Sequence, residues 1–136
     1  MLTTTSDDGA VRTLTFARPE ALNAFNSAML DAVTTELINA STDDGVKVLV
    51  ITGAGRAFSA GMDLAEQEGA ASPQYSLADM FDAFIDFPKP IILGINGVGV
   101  GFGCTICGLA DMAFMADSAR LRAPFTSLGL TAEAAS

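Results

Sequence analysis

The stretch KVLVITGAGRAFSAGMDL, Lys47 to Leu64, changes character at Gly53. Val48, Val50 and Ile51, with Leu49 among them, make a β-branched run bounded by glycine, the pattern of a strand covered on both faces. Beyond Gly53 the residues are small, and AGRAFSAGMDL predicts a turn that opens a helix. The same plan recurs from Pro90, where IILGIN reads as a buried strand, GVGVGFG as a glycine-rich turn and CTICGLA as a short helix. No letters repeat, only the order of elements. Each unit presents backbone N–H groups at a helix start, where glycine lets a ligand approach the main chain closely.

Outward from these units, AVRTLTFAR alternates as a half-buried strand, with Leu14 and Phe16 on one face and Thr13 and Thr15 on the other. Asn26 or Ser27 caps a helix whose apolar stripe is Met29, Leu30, Val33 and Leu37. EQEGAASPQY, residues 66–75, reads as a mobile surface loop. Ser76 and Asp79 form a capping box ahead of Leu77, Met80, Phe81, Phe84 and Ile85 at helical spacing. Pro88 and Pro90 stop that helix, and MAFMA and ARLRAP predict further short strands.

Seven basic residues against sixteen acidic give a net charge of −9, with no basic cluster. That pattern excludes a nucleic-acid footprint. An anionic ligand would be held by a few local cations and by backbone N–H groups; Arg18, Lys47, Arg56 and Lys89 are the cations available. MLTTTSDDGA is no secretory signal, so a cytoplasmic location is expected. Pro90 to Ala110 carries no charge up to its last residue, yet six glycines and Asn96 break it into strand, turn and helix, so no membrane span is expected. With half of its residues hydrophobic, the chain is expected to offer apolar surface to a partner.

Cys104 and Cys107 form a C-x-x-C without a histidine anywhere in the chain. Redox or zinc chemistry would need a thioredoxin-like context or further ligands, and the pair reads instead as two small buried residues one helical turn apart. The run Gly97 to Gly103 does not satisfy G-x-G-x-x-G in any register, and the turn after VLVITG lacks the phosphate-binding lysine, so neither nucleotide motif is met. Two glycine-rich turns converging on one point would supply a pair of N–H donors to a developing oxyanion. Close packing of strand on helix explains the same glycines equally well.

RPEALNAFN, VLVITGAGRAFSAGMDL, KPIILGINGVGVGFG and ADMAFMADSARLRAPFTSLGL follow one another along nearly the whole chain, and in this order they resemble the crotonase superfamily, also called the enoyl-CoA hydratase/isomerase family. The resemblance implies an α/β fold, a crotonase-like spiral of β-β-α turns, truncated at its C-terminal end. Residues 1–136 would then be the N-terminal part of a core domain whose C-terminal helical region is absent. It implies an acyl-CoA substrate, with coenzyme A entering as part of the substrate and no separate cofactor, and assembly as a homotrimer or hexamer if the full-length chain is present.

By position, the resemblance puts the two oxyanion donors on the backbone of Met62 and Phe102. Ala60 to Leu64 would line the CoA pocket, with the ALNA loop of Ala21, Leu22, Asn23 and Ala24 on its other side. Where hydratases of the family carry two glutamates, this chain has Thr105 and Phe125. APFTSLGLTAE instead looks like the Δ3,Δ2-enoyl-CoA isomerase branch, in which one glutamate follows the leucine-glycine turn; Glu133 matches it. Shifting a double bond needs one base, whereas hydration needs a base and an acid. The expected function is therefore an enoyl-CoA isomerase with Glu133 as base, walled by Phe102 and Phe125. The alternatives are a non-catalytic acyl-CoA-binding or assembly fragment and, third, an enoyl-CoA hydratase. Asp63, Asp111 and Asp117 are expected to be structural.

Overall fold

A computed structural model describes residues 1–65 and 72–132. Its strands and helices are β1 (Thr3–Asp8), β2 (Val11–Phe16), α1 (Ser27–Thr42), β3 (Val48–Gly53), β4 (Ala57–Ser59), α2 (Leu77–Ile85), β5 (Ile91–Ile95), β6 (Val98–Val100), α3 (Phe102–Thr105), β7 (Met112–Met115) and β8 (Leu121–Arg122). Short 3-10 turns cover Pro19–Ala21, Ile106–Leu109 and Thr126–Leu128.

The strands sort into two sheets. One runs β1-β2-β3-β5-β7, antiparallel only at β1-β2, and the other runs β4-β6-β8, all parallel. The repeated plan read from the sequence is thus a spiral. Each turn gives one strand to the large sheet (β3, β5, β7) and the next to the small one (β4, β6, β8). Parallel neighbours need such crossovers, because a hairpin can join only antiparallel strands.

α1 starts where Asn26 accepts a hydrogen bond from the Met29 N–H at 2.9 Å. Its stripe of Met29, Leu30, Val33 and Leu37 is buried as the spacing predicts. The Ser76–Asp79 capping box forms at the start of α2. Met80 and Phe84 enter the core from that helix, whereas Ile85 faces outward, 66% exposed. The core is centred on Leu14, Phe16, Phe25, Leu49, Ile51, Phe58, Leu93 and Phe102.

Several expectations change. β3 is not buried on both faces: Leu49 and Ile51 are covered, while Val48, Val50 and Thr52 are half-buried. After β3 comes another strand, β4, where a helix was expected, and Leu64 and Ala65 lie in a turn. GVGVGFG likewise contains β6. Beside these strands a glycine lets two segments lie close together, at Gly61 (φ +84°), where an added Cβ would come within 2.5 Å of the Val100 carbonyl oxygen. Cys104 and Cys107 are half-exposed instead of buried. Of the expected loop at residues 66–75, the part at 66–71 lies outside the described residues, and the Gln74 and Tyr75 N–H groups both donate to Asp31 at 2.9 Å.

Candidate active site

The two glycine-rich turns meet beside β4 and β6. Asn96, just past β5, accepts from the Gly53 N–H at 3.1 Å and donates to the Gly55 carbonyl at 3.0 Å, tying one turn to the other. Past them lies a cleft of about 120 Å³, walled on one side by Ala60, Gly61, Met62 and Leu64 and on another by Val100, Gly101 and Phe102. Pro124, Phe125, Leu128 and Leu130 complete it. None of these lining side chains is charged.

Met62 is held by a single parallel bridge to Phe25. The Phe25 N–H donates to the Gly61 carbonyl at 2.8 Å, and the Asp63 N–H donates to the Phe25 carbonyl at 2.8 Å. In a parallel pair those two bonds flank the bridged residue, so the N–H of Met62 itself points away from Phe25. Phe102 is the first residue of α3, where a helical N–H has no intrahelical acceptor. Neither N–H donates to another described residue. The main chains that carry them touch through Gly61, whose Cα faces the Val100 carbonyl and the Phe102 nitrogen. Two N–H groups without an acceptor among the described residues, on residues that line one apolar cleft, are the kind of donors that could meet a carbonyl oxygen gaining negative charge.

A hydrogen-bonded lattice fixes the Met62 side. Asn23, fully buried and in the left-handed region at φ 56°, donates to the Ala54 and Ala57 carbonyls at 2.9 Å each and accepts from the Arg18 N–H at 2.9 Å. The Ser59 hydroxyl donates to the Asn23 carbonyl at 2.9 Å and accepts from the Gly61 N–H at 3.1 Å. The Ala60 N–H reaches the Leu22 carbonyl at 2.9 Å. The ALNA loop therefore braces the Ala60–Leu64 segment, with Asn23 and Ala24 buried and Ala21 and Leu22 half-exposed. Asn23 and Ser59 were not singled out from the sequence as braces. An asparagine between Leu22 and Ala24, in a loop after a proline, is the signal that could have marked a left-handed turn.

Arg18 is not a free cation: its guanidinium pairs with Asp63 at 2.6 Å and also donates to the Ala24 carbonyl at 3.0 Å. That hydrogen bond, and then the Ala65 N–H, hold the Asp63 carboxyl below the ordinary aspartate range. Lys89 is engaged as well, donating to the Ala40 and Asp43 carbonyls at the end of α1. Lys47 and Arg56 are exposed, and Arg56 borders a second cavity, of about 190 Å³, with Leu22, Ala57 and Val98. Asp63 has the structural part expected of it. So does Asp111, whose carboxylate accepts from the Ile91 N–H at 2.8 Å, and the Asp117 carbonyl accepts from Arg120 at 3.1 Å.

Phe102 places its backbone at the cleft, but its ring is 1% exposed and packs in the core against Phe25 at 5.0 Å and Phe81 at 5.9 Å. Phe102 and Phe125, the two residues expected to wall the base, both line the cleft, and Phe125 is buried as well. Thr105 is 4% exposed, and its hydroxyl has no hydrogen-bond partner among the described residues. Glu133 lies outside the described residues. Among the described residues no helix is long and apolar enough to cross a membrane.

Residues 6–136 match the family model described as enoyl-CoA hydratase/isomerase. Enoyl-CoA delta isomerase 2 of Rattus norvegicus is 37% identical over 96% of this chain and 35% of its own length. The 2,3-dehydroadipyl-CoA hydratase of Escherichia coli is 38% identical over 86% of this chain and 47% of its own. Among solved structures, an enoyl-CoA hydratase from Mycobacterium marinum superimposes with a TM-score of 0.92 at 45% identity, covering 99% of this chain and 66% of that one. The chain thus spans a third to a half of the length of these two curated relatives, and the similar proteins bear the names of both reactions.

Proposed function

The chain belongs to the enoyl-CoA hydratase/isomerase family, and on that footing we propose that it carries the substrate-activating part of an enoyl-CoA isomerase. The thioester oxygen of a 3-enoyl-CoA accepts from the N–H groups of Met62 and Phe102. Glu133 removes a proton from C2, the charge moves onto the thioester oxygen as a dienolate, and the same carboxyl returns the proton to C4. Nothing is added or lost. Two preorganised donors in a dry site are each worth about 3 kcal/mol in the transition state.

The observation that supports this reading is the pair of N–H groups, on Met62 and Phe102, that donate to no described residue and belong to residues lining one cleft. A hydratase needs a second acid–base group, and the two places where the family resemblance puts its glutamates hold Thr105 and Phe125. Of the four candidate cations named from the sequence, Lys47 and Arg56 are left for the CoA phosphates, Arg56 sharing a cavity with Leu22 of the ALNA loop. On this reading residues 1–136 are the N-terminal part of a larger crotonase-like core.

The test is 2-enoyl-CoA formation from a 3-enoyl-CoA, with Glu133→Gln beside the unsubstituted chain. The substitution is expected to lower kcat by about 10²–10⁴-fold while affinity for the ester is kept. Equal turnover by both would remove Glu133 as the base, and water addition to a 2-enoyl-CoA would move the reading to a hydratase. A second reading, an acyl-CoA-binding or assembly unit without turnover, is favoured by the exposed Met112, Phe114 and Met115 of β7. Ester binding with no isomerisation by the unsubstituted chain would select it.

A further inference from the structure

The C-x-x-C has a geometry that its sequence alone does not give. Along the segment that begins at Phe102, the residues Phe102, Gly103, Thr105 and Ile106 are buried, while Cys104 and Cys107 are half-exposed. Cys104 and Cys107 are thus both partly open to solvent, and Cys107 also packs against the core. The winding also changes between them, from α-helix at Phe102–Thr105 to 3-10 helix at Ile106–Leu109. In a 3-10 turn, side chains three apart stand one above the other. Residues three apart lie about 5 Å apart at Cα in α geometry and about 6 Å apart in 3-10 geometry, and a disulfide accepts about 4.4–6.8 Å.

The segment is also held in place. Gly103 lies so close to the Ser59 carbonyl that a Cβ there would overlap it, and the Cys104 and Thr105 N–H groups both donate to Gly101, at 2.8 and 2.9 Å. The backbone at Cys104 is thus held by β4 and by the turn at Gly101.

We propose that Cys104 and Cys107 are a redox modification site, closing a reversible disulfide within the chain when a low-molecular-weight disulfide such as oxidised glutathione is present. The Cys104 thiolate attacks one sulfur of the glutathione disulfide, whose S–S bond breaks and releases one glutathione thiolate. The Cys107 thiolate then attacks the Cys104 sulfur of the mixed disulfide and releases the second. The protein loses two thiol protons and two electrons, and the glutathione disulfide gains the two electrons. Burial, with the neighbouring Cys104 adding to it, pushes the Cys107 thiol up, which suits it to the second, resolving step. The bridge would close two residues past Phe102, on the segment that forms one wall of the cleft.

The experiment equilibrates the chain in glutathione buffers of graded potential, in native conditions and in concentrated urea, followed by intact mass and peptide mapping. In the folded chain both thiols should disappear together, with the mass falling by two hydrogens and one peptide joining Cys104 to Cys107. Cys104→Ser and Cys107→Ser should each hold a single glutathione that the unsubstituted chain does not retain. The equilibrium constant for closing should be at least about tenfold larger folded than in urea, which by reciprocity makes the oxidised fold more stable by about 1.4 kcal/mol. Persistent thiols, a stable glutathione adduct on the unsubstituted chain, disulfides between chains, or equal closing in urea would each overturn the proposal. The unsubstituted chain decides the matter alone if a serine variant fails to fold.

Discussion

Two walls of one cleft are held in opposite ways. The wall that carries Met62 is laced to the loop at residues 18–25 through Arg18, Asn23, Ser59 and Asp63, with buried partners at most points. The wall made by Phe125, Leu128 and Leu130 follows β7 and β8, whose residues are exposed throughout. Its main hydrogen bonds stay inside its own turn, where the Leu128 and Leu130 N–H groups donate to Phe125 at 3.0 and 2.9 Å. Preorganisation of a donor requires that its position not be renegotiated when charge develops. On the proposed reading the chain meets that requirement at Met62 from its own residues, whereas the Phe125 wall rests on a few local bonds.

The largest effect that would break this contrast is at Asn23. Asn23→Ala removes three hydrogen bonds at about 1 kcal/mol each and leaves buried groups unpaired, so a loss of about 3 kcal/mol or more in stability is expected. Alanine would also have to take the left-handed conformation that Asn23 adopts. The check is the urea midpoint at constant slope. A shift worth less than about 1 kcal/mol would mean that the lattice is not what holds this wall.

The Arg18–Asp63 pair tests the same wall at smaller scale. Both side chains are mostly covered, at 19% and 15% exposure, so the pair stands between the exposed and buried cases. Asp63→Asn is expected to cost about 1–2 kcal/mol at neutral pH. Because the folded carboxyl is held below its ordinary value, the pair contributes fully above the unfolded aspartate value of about 3.9. That contribution is lost as pH falls through the folded value. Stability curves of the two proteins should therefore converge in acid, separate as pH rises towards about 4 and keep a constant gap above it. Parallel curves at all pH values would show that the carboxylate charge contributes nothing.

The contrast also governs how much could be read from the sequence. α1 and α2 were legible because their apolar residues recur at helical spacing and their caps are local, Asn26 to Met29 and Ser76 to Asp79. The spiral was legible only as a repeated order of elements, since the pairing of β3 with β5 and β4 with β6 joins distant segments. β1 was missed: TTTSDD has no apolar alternation, and the strand exists because β2 offers it a hydrogen-bonding edge. β4 and β6 were missed because strands of three residues, small or rich in glycine, carry no period to detect. At the site, the lining segments Ala60–Leu64 and Gly101–Phe102 came from the resemblance. The brace through Asn23 did not, because its partners are spread from Arg18 to Ser59.

The smallest expected effect sharpens the comparison from its looser side. Among the described residues β7 is the last strand of the large sheet, paired with β5 alone, and Phe114 is 63% exposed opposite Gly94. Phe114→Thr keeps a strand-forming residue and removes a ring with little burial to lose, so stability should change by no more than about 0.5 kcal/mol. That small value should hold at every protein concentration. A loss above about 1 kcal/mol that grows with concentration would mean that a second copy covers this face in solution, since association with the folded state alone makes stability depend on concentration. The looser wall would then be completed between chains, while the Met62 wall is completed within one.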